Sequence, residues 1–256
     1  MYNFFCPRQL IYFDGYSGYI LDFKQGDVTG DGIIDNVYLI GDRPYGFQSP
    51  FVANTNLVVQ DGASLQYTRV PIKDGSGYNP TIFLGDFTGD KVDDIVVYID
   101  SGGSGAILYS YIYSFVDNKP SLLFDHEKFN KEFQYEVIFR DNFEVDVISF
   151  KTKKKFTIDI SYKGEEYLWE IYNEDGTLKE GIKGFVNAIS GLYPIDFDRD
   201  GVYELMAVQK VAGRYNADAI GYVETDLKWN GRSFVAFRQE IGIFGENILS
   251  IPYICN

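Results

Sequence analysis

Three short stretches carry most of the patterned chemistry of this 256-residue chain. In GDVTGDGIIDNVYLI, Asp27, Thr29, Asp31 and Asp35 stand at positions 1, 3, 5 and 9 of a loop. In GDFTGDKVDDIVVYI the same positions hold Asp86, Thr88, Asp90 and Asp94, and in IDFDRDGVYELMAVQ they hold Asp196, Asp198, Asp200 and Glu204. Position 7 is apolar each time (Ile33, Val92, Val202), which suits a ligand supplied by the backbone carbonyl. A tight loop presenting alternate oxygens inward is what a hard cation with six to eight oxygen ligands needs, and Gly30, Gly32, Gly89 and Gly201 permit the turn. Magnesium keeps its waters and demands an octahedron, so calcium fits better. An EF-hand is excluded: its position 12 is a bidentate Glu entering a helix, whereas here that position is Tyr38, Val97 or Ala207 inside strand-like runs. One such loop could be a solvated Asp-Gly turn. Three with matched positions point to three structural Ca2+ ions.

The spacing of these loops exposes a repeat. Their first aspartates, Asp27, Asp86 and Asp196, are 59 and 110 residues apart, the second interval being close to twice the first. A fourth copy is therefore expected near residue 141, where VIFRDNFEVDVISFK shows two strands around a short acidic turn with too few ligands for a metal. The units are approximately 18–75, 76–130, 131–183 and 184–245, within a single domain spanning 1–256. Strand-like runs recur within them, such as Ile95–Ile99 and Ile107–Phe115, or Tyr203–Val208 and Ala219–Leu227. Turn signals such as Asp61-Gly62, Asp117-Asn118 and Asn230-Gly231 separate the runs, and helical periodicity is confined to Glu127–Phe133. Four-stranded units at this period predict an all-β fold, a β-propeller of about four blades (five is possible), closed near the termini. A two-sheet sandwich is the alternative architecture, and a solenoid is disfavoured because its repeats are shorter. Trp169 and Trp229 are expected to pack between sheets.

The loops resemble the FG-GAP, or VCBS, repeats of integrin α-subunit propellers and of secreted proteins of Gram-positive bacteria. The likeness covers residues 18 to 245 and rests on the D-x-[DT]-x-D-x-x-x-[DE] core, without clear Phe-Gly and Gly-Ala-Pro cassettes. It implies a propeller with a calcium ion in the loop joining the first two strands of most blades.

Composition bounds the function. The chain is 45% hydrophobic and 17% aromatic, which is that of a folded protein rather than a disordered one. Its net charge of −14 repels nucleic acid and anionic membrane surfaces. No apolar run reaches the length of a membrane span, so no membrane insertion is expected. Cys6 and Cys255 lie near opposite ends, and a ring that closes would bring them into disulfide range, which implies an oxidising, extracellular or cell-surface setting. The one histidine, His126, has no nucleophile pattern around it, and no phosphate loop or zinc cluster occurs. No catalytic residues are assigned.

The loops at the end opposite the acidic ones are the natural binding surface of such a scaffold. They carry Arg43, Tyr45, Ser101, Ser104, Arg214, Tyr215 and Asn216, with Lys151 to Lys155 joining from the third unit. Tyrosine and arginine combine flat apolar area with hydrogen bonds and suit a glycan or protein ligand. The sequence thus reads as a monomeric, calcium-stabilised binding or adhesion module without catalysis. A polysaccharide lyase or hydrolase and a structural coat or wall protein are the alternatives.

Overall fold

The computed structural model describes residues 10–13 and 16–245. The chain is all-β. Runs of β-branched and aromatic residues such as DIVVYID and LYSYIYS supply strands that pack on both faces, and their pairings are antiparallel throughout. The first sheet orders β1 (Leu10–Phe13), β2 (Tyr16–Gly26), β3 (Asp35–Asp42), β4 (Ala53–Gln60) and β5 (Tyr67–Pro71) as a simple meander. The second does the same with β6 (Tyr78–Gly85), β7 (Asp94–Asp100), β8 (Leu108–Ser114) and β9 (Ser121–Asp125). A short helix, α1 (His126–Glu132), follows where helical periodicity is expected; Asp125 caps it by accepting from the Glu127 amide.

The remaining seven strands form one sheet. These are β10 (Tyr135–Arg140), β11 (Glu144–Ser149), β12 (Lys154–Asp159), β13 (Lys183–Ile195), β14 (Glu204–Ala212), β15 (Ala219–Trp229) and β16 (Phe234–Gly242). Their order is β12-β11-β10-β13-β14-β15-β16. The sheet curls until its outer strands approach: Lys154 Nζ reaches the Gln239 carbonyl at 3.3 Å, and the Thr152 hydroxyl meets the Gln239 side chain. The result is nearly closed and barrel-like. At mid-height its interior is polar and satisfied: Tyr135 donates to Gln209 Oε1 at 2.9 Å, and Gln239 Nε2 donates to Thr225 Oγ1 at 2.9 Å.

The third unit has three strands where the others have four. After β12 the chain forms α2 (Glu165–Ile171), in which Leu168 and Ile171, three residues apart, bury one face. This helix has no counterpart in the sequence expectation: it is as short as α1 but starts at Gly164 without a capping side chain, whereas α1 starts at Asp125. Losing a strand sends the chain out of the unit at the opposite end. β13 accordingly runs antiparallel to β10, and the two are joined by only two residue pairs, Val137 with Gly184 and Ile138 with Lys183. Trp169 sits on α2 and is 59% exposed, so it does not pack between sheets. The ring contact of Trp229, 5.3 Å from Phe234, is with its register partner in the same sheet rather than across sheets.

Three cores hold the layers together. Val37, Leu39 and Leu57 of the first sheet pack against Ile95, Val97 and Tyr111 of the second. The opposite face of the second sheet, with Phe87, Val96 and Ile112, packs against Leu192, Leu205 and Leu227 of the large sheet. The third core, with Val145, Val147, Ile158, Val211 and Val223, lies inside the curled sheet and under α2. The units therefore stack in the order first, second, fourth, with the third attached beyond the fourth. Cys6 and Cys255 lie outside the described residues.

Candidate metal-loop site

Each acidic loop joins the first two strands of its unit: β2 to β3, β6 to β7 and β13 to β14. In the first, Asp27 Oδ1 and Oδ2 accept from the Gly30 and Gly32 amides at 2.7 and 2.8 Å, and Asp31 accepts from the Ile33 amide at 2.8 Å. The second repeats this, with Asp86 accepting from Gly89 and Lys91 and Asp90 accepting from Val92. The third follows, with Asp196 accepting from Asp200 and Gly201 and Asp200 accepting from Val202. Backbone amides thus hold the carboxylates at positions 1 and 5 in all three loops, from positions 4 and 6 onto Asp27 and Asp86 and from positions 5 and 6 onto Asp196. Gly30, Gly89 and Gly201 take positive φ values of 80, 79 and 91°, which a side chain would strain.

Position 9 closes the loop. Asp35 is fully buried; its Oδ2 accepts from the Val28 and Thr29 amides, and its Oδ1 from Gly62 in the following turn at 2.8 Å. Asp94 accepts from the Phe87 amide at 3.1 Å and Glu204 from the Phe197 amide at 3.2 Å. Asp94 has fewer donors than Asp35. Burial, with Asp90, Asp86 and Asp93 close by, pushes its carboxyl up to about 7.

Two observations test whether these residues fit a cation. The hydroxyls of Thr29 and Thr88, at position 3, are buried and have no hydrogen-bond partner among the described residues. A buried, unpartnered hydroxyl is costly, and an oxygen at a ligand position is relieved by a metal ion. In the third loop one carboxylate oxygen each from Asp196, Asp198 and Asp200 lie within 4.8 Å of one another. The all-oxygen donor sets suit calcium.

The loops also touch one another. Asp93, at position 8 of the second loop, donates its amide to the Asp27 carbonyl at 3.0 Å, and Tyr203, at position 8 of the last, donates to the Asp86 carbonyl at 2.7 Å. The Asp93 carboxyl sits between Asp27 and Asp86, and burial followed by those two charges raises it above the ordinary range. Asp93 escaped the sequence reading because it lies outside the alternating ligand pattern; the adjacent Asp93-Asp94 pair was its one signal.

At the opposite end, the residues expected to form a binding face divide into two groups. Arg43 and Tyr45 lie between β3 and β4; Arg43 sits over the Phe47 ring at 5.5 Å, and Tyr45 connects through Phe51 to Tyr78, with ring centroids 5.6 and 5.5 Å apart. Tyr78 lies against Gly102, which brings Ser101 and Ser104 alongside; Lys210 Nζ then binds the Ser104 carbonyl at 3.0 Å. Arg214, Tyr215 and Asn216 lie in the β14–β15 turn; Arg214 and Tyr215 line a separate open depression of roughly 560 Å³ with Lys163, Tyr167 and Glu170. Lys151 to Lys155 do not join either group. The inverted third unit lays this run against β16, beside Gln239.

Asp218 organises the depression. Its carboxylate accepts from Lys163 Nζ at 3.0 Å, the Tyr167 hydroxyl at 2.8 Å and the Arg214 amide at 3.0 Å. Burial alone would raise this carboxyl, but the three donors outweigh it and hold it below the usual carboxylate range. A depressed folded value means that the stabilisation is fully present above the unfolded value of about 3.9 and is lost as pH falls through the folded one. Asp218→Asn should therefore cost about 2–3 kcal/mol at pH 7 and flatten the acid limb of stability in urea unfolding. An unchanged acid limb would show that Asp218 does not titrate in this way.

The profile of the YybI C-terminal domain family matches residues 133–242. Over 229 residues the chain is 48% identical to the uncharacterized protein YybI of Bacillus subtilis (strain 168), covering 90% of this chain and 87% of that one. The chain belongs to the YybI family. Its YybI C-terminal domain is coextensive with the seven-stranded sheet, from β10 at Tyr135 to the end of β16 at Gly242. Two of the three acidic loops lie before that domain and the last lies inside it. No solved structure matches the chain.

Proposed function

We propose that this YybI-family chain is a calcium-stabilised, extracellular or cell-surface binding module whose units act as propeller-like blades of the FG-GAP type. Calcium is structural. It clamps the first turn of three units, at Asp27–Asp35, Asp86–Asp94 and Asp196–Glu204. The observation that carries this reading is the pair of buried, unpartnered hydroxyls, Thr29 and Thr88, at matched ligand positions among carboxylates already held by backbone amides. The working surface is the opposite end, where Arg43, Tyr45, Ser101 and Ser104 lie on neighbouring loops, and its ligand is a glycan or protein. The module binds without catalysing a reaction and is monomeric, and Cys6 pairs with Cys255.

The test counts ions and ligands separately. Protein dialysed against calcium-free buffer after loading should retain three calcium ions per chain by atomic emission, and Asp27→Asn with Asp86→Asn should leave one. A chain that retains none sinks the metal reading. Tyr45→Ala should abolish signals on a glycan array or peptide panel while leaving the ion count unchanged; a panel on which the wild type binds nothing sinks the ligand reading.

A further inference from the structure

We infer that the three metal loops form a coupled ladder, so that calcium binds them cooperatively rather than as three separate sites. The inference rests on the calcium reading above and adds to it the regulation of those sites.

The contacts are the same at both junctions. The position 8 amide of each incoming loop binds the position 1 carbonyl of the loop before it, Asp93 on Asp27 and Tyr203 on Asp86. The position 7 side chain of the incoming loop lies over the position 4 glycine of the receiving one. A Cβ on Gly30 would meet Val92 Cγ2 at 2.9 Å, and one on Gly89 would lie 3.7 Å from Val202 Cγ2. The residue before position 1 is also glycine in both receiving loops. A Cβ on Gly26 would meet the Asp93 carboxylate at 2.6 Å, and one on Gly85 would meet the Tyr203 ring at 2.8 Å.

Among the described residues no further loop docks on the last one, and both glycines are gone from it: Ile195 and Arg199 stand in their places. Its position 2 residue, Phe197, is 38% exposed, whereas Val28 and Phe87 at position 2 of the receiving loops are fully buried. At the other end, Ile33 and Ile34 dock on no earlier loop and are 47% and 57% exposed. The substitutions follow the stacking order first, second, fourth, not the order along the chain.

This arrangement links ligand to ligand. Asp27 and Asp86 are position 1 ligands whose own carbonyls are held by the next loop. The second unit also reaches Thr29 directly, through the Asp117 amide on the Thr29 carbonyl at 3.0 Å. An ion that orders the second loop therefore orders the donors that fix the first, and an ion in the last loop does the same for the second. Ordering paid once at a shared junction is not paid again by the next ion, which is positive cooperativity.

Calcium titration of the full chain by isothermal calorimetry tests this. Three ions should bind with a Hill coefficient of about 2, successive affinities rising at least about fivefold. Gly26→Ala and Gly85→Ala touch no ligand, and each should lower the Hill coefficient while the stoichiometry stays at three. Should either variant fail to fold, amide exchange in the wild type decides: the Asp93 and Tyr203 amides should gain protection on calcium binding. Three ions binding with a Hill coefficient of 1, or exchange at both amides unchanged by calcium, overturns the ladder and leaves the metal sites standing. Binding of no ion overturns both.

Discussion

Millimolar calcium added to the EGTA-stripped protein should raise its melting midpoint by on the order of 15–30 °C. An ion that binds only the folded state stabilises it by about 2.7 kcal/mol at a hundredfold excess over its dissociation constant, and three such sites supply about 8 kcal/mol. For a chain of this size each kcal/mol moves the midpoint by about 2–4 °C. The gain is large because the empty loops concentrate like charge. The last one brings oxygens of three carboxylates within 4.8 Å, and the second buries Asp94 beside Asp86, Asp90 and Asp93. Differential scanning calorimetry with calcium, with magnesium and with EGTA measures the effect. A midpoint that moves by less than about 2 °C between calcium and EGTA would refute structural calcium.

Replacing Phe87 by Ala should cost about 3–5 kcal/mol, the usual loss when a fully buried phenylalanine leaves a cavity. Phe87 stands at position 2 of the second loop and has no exposed surface. Its ring contacts Phe83, Tyr203 and Phe234 at centroid distances of 6.3, 5.8 and 6.2 Å, so it joins the second sheet to the large one directly beneath the acidic loops. Urea unfolding should show a midpoint lowered at constant slope. The Phe197→Ala substitution at the equivalent position of the last loop should cost less, about 1–2 kcal/mol, because that ring is 38% exposed and meets Phe237 at 6.0 Å and the Arg238 guanidinium at 4.9 Å without joining a core. Equal losses at the two positions would contradict the stacking order.

Much of the local structure was readable. Ile95–Ile99 and Ala219–Leu227 announced strands because they are short apolar runs rich in β-branched residues between turn signals, and they lie in β7 and β15. Glu127–Phe133 announced a helical turn and is α1 but for one residue at each end. The acidic loops were legible for a stronger reason. Alternating oxygens and turn glycines are local requirements, and local requirements leave their mark in consecutive residues. α2, equally short, was missed because it starts at Gly164 with no capping side chain to announce it, and Trp169 was misplaced with it.

The amino-acid order alone carried most of the strands and the acidic loops between them, since each depends on neighbours within about ten residues. It also contained, unread, the glycines at 26 and 85 and the change to Ile195 and Arg199 in the last loop, while Gly30 and Gly89 were read as turn formers alone. Folding in three dimensions settled which unit lies against which. The third unit is one strand short, so it reverses the chain, drops out of the stack and carries Lys151–Lys155 away from the far end to the side of β16. The second and fourth units become neighbours although more than fifty residues separate them, and the Tyr203 amide finds the Asp86 carbonyl. A repeat period counts residues along a chain; the direction in which a strand leaves its sheet depends on how many strands that sheet contains.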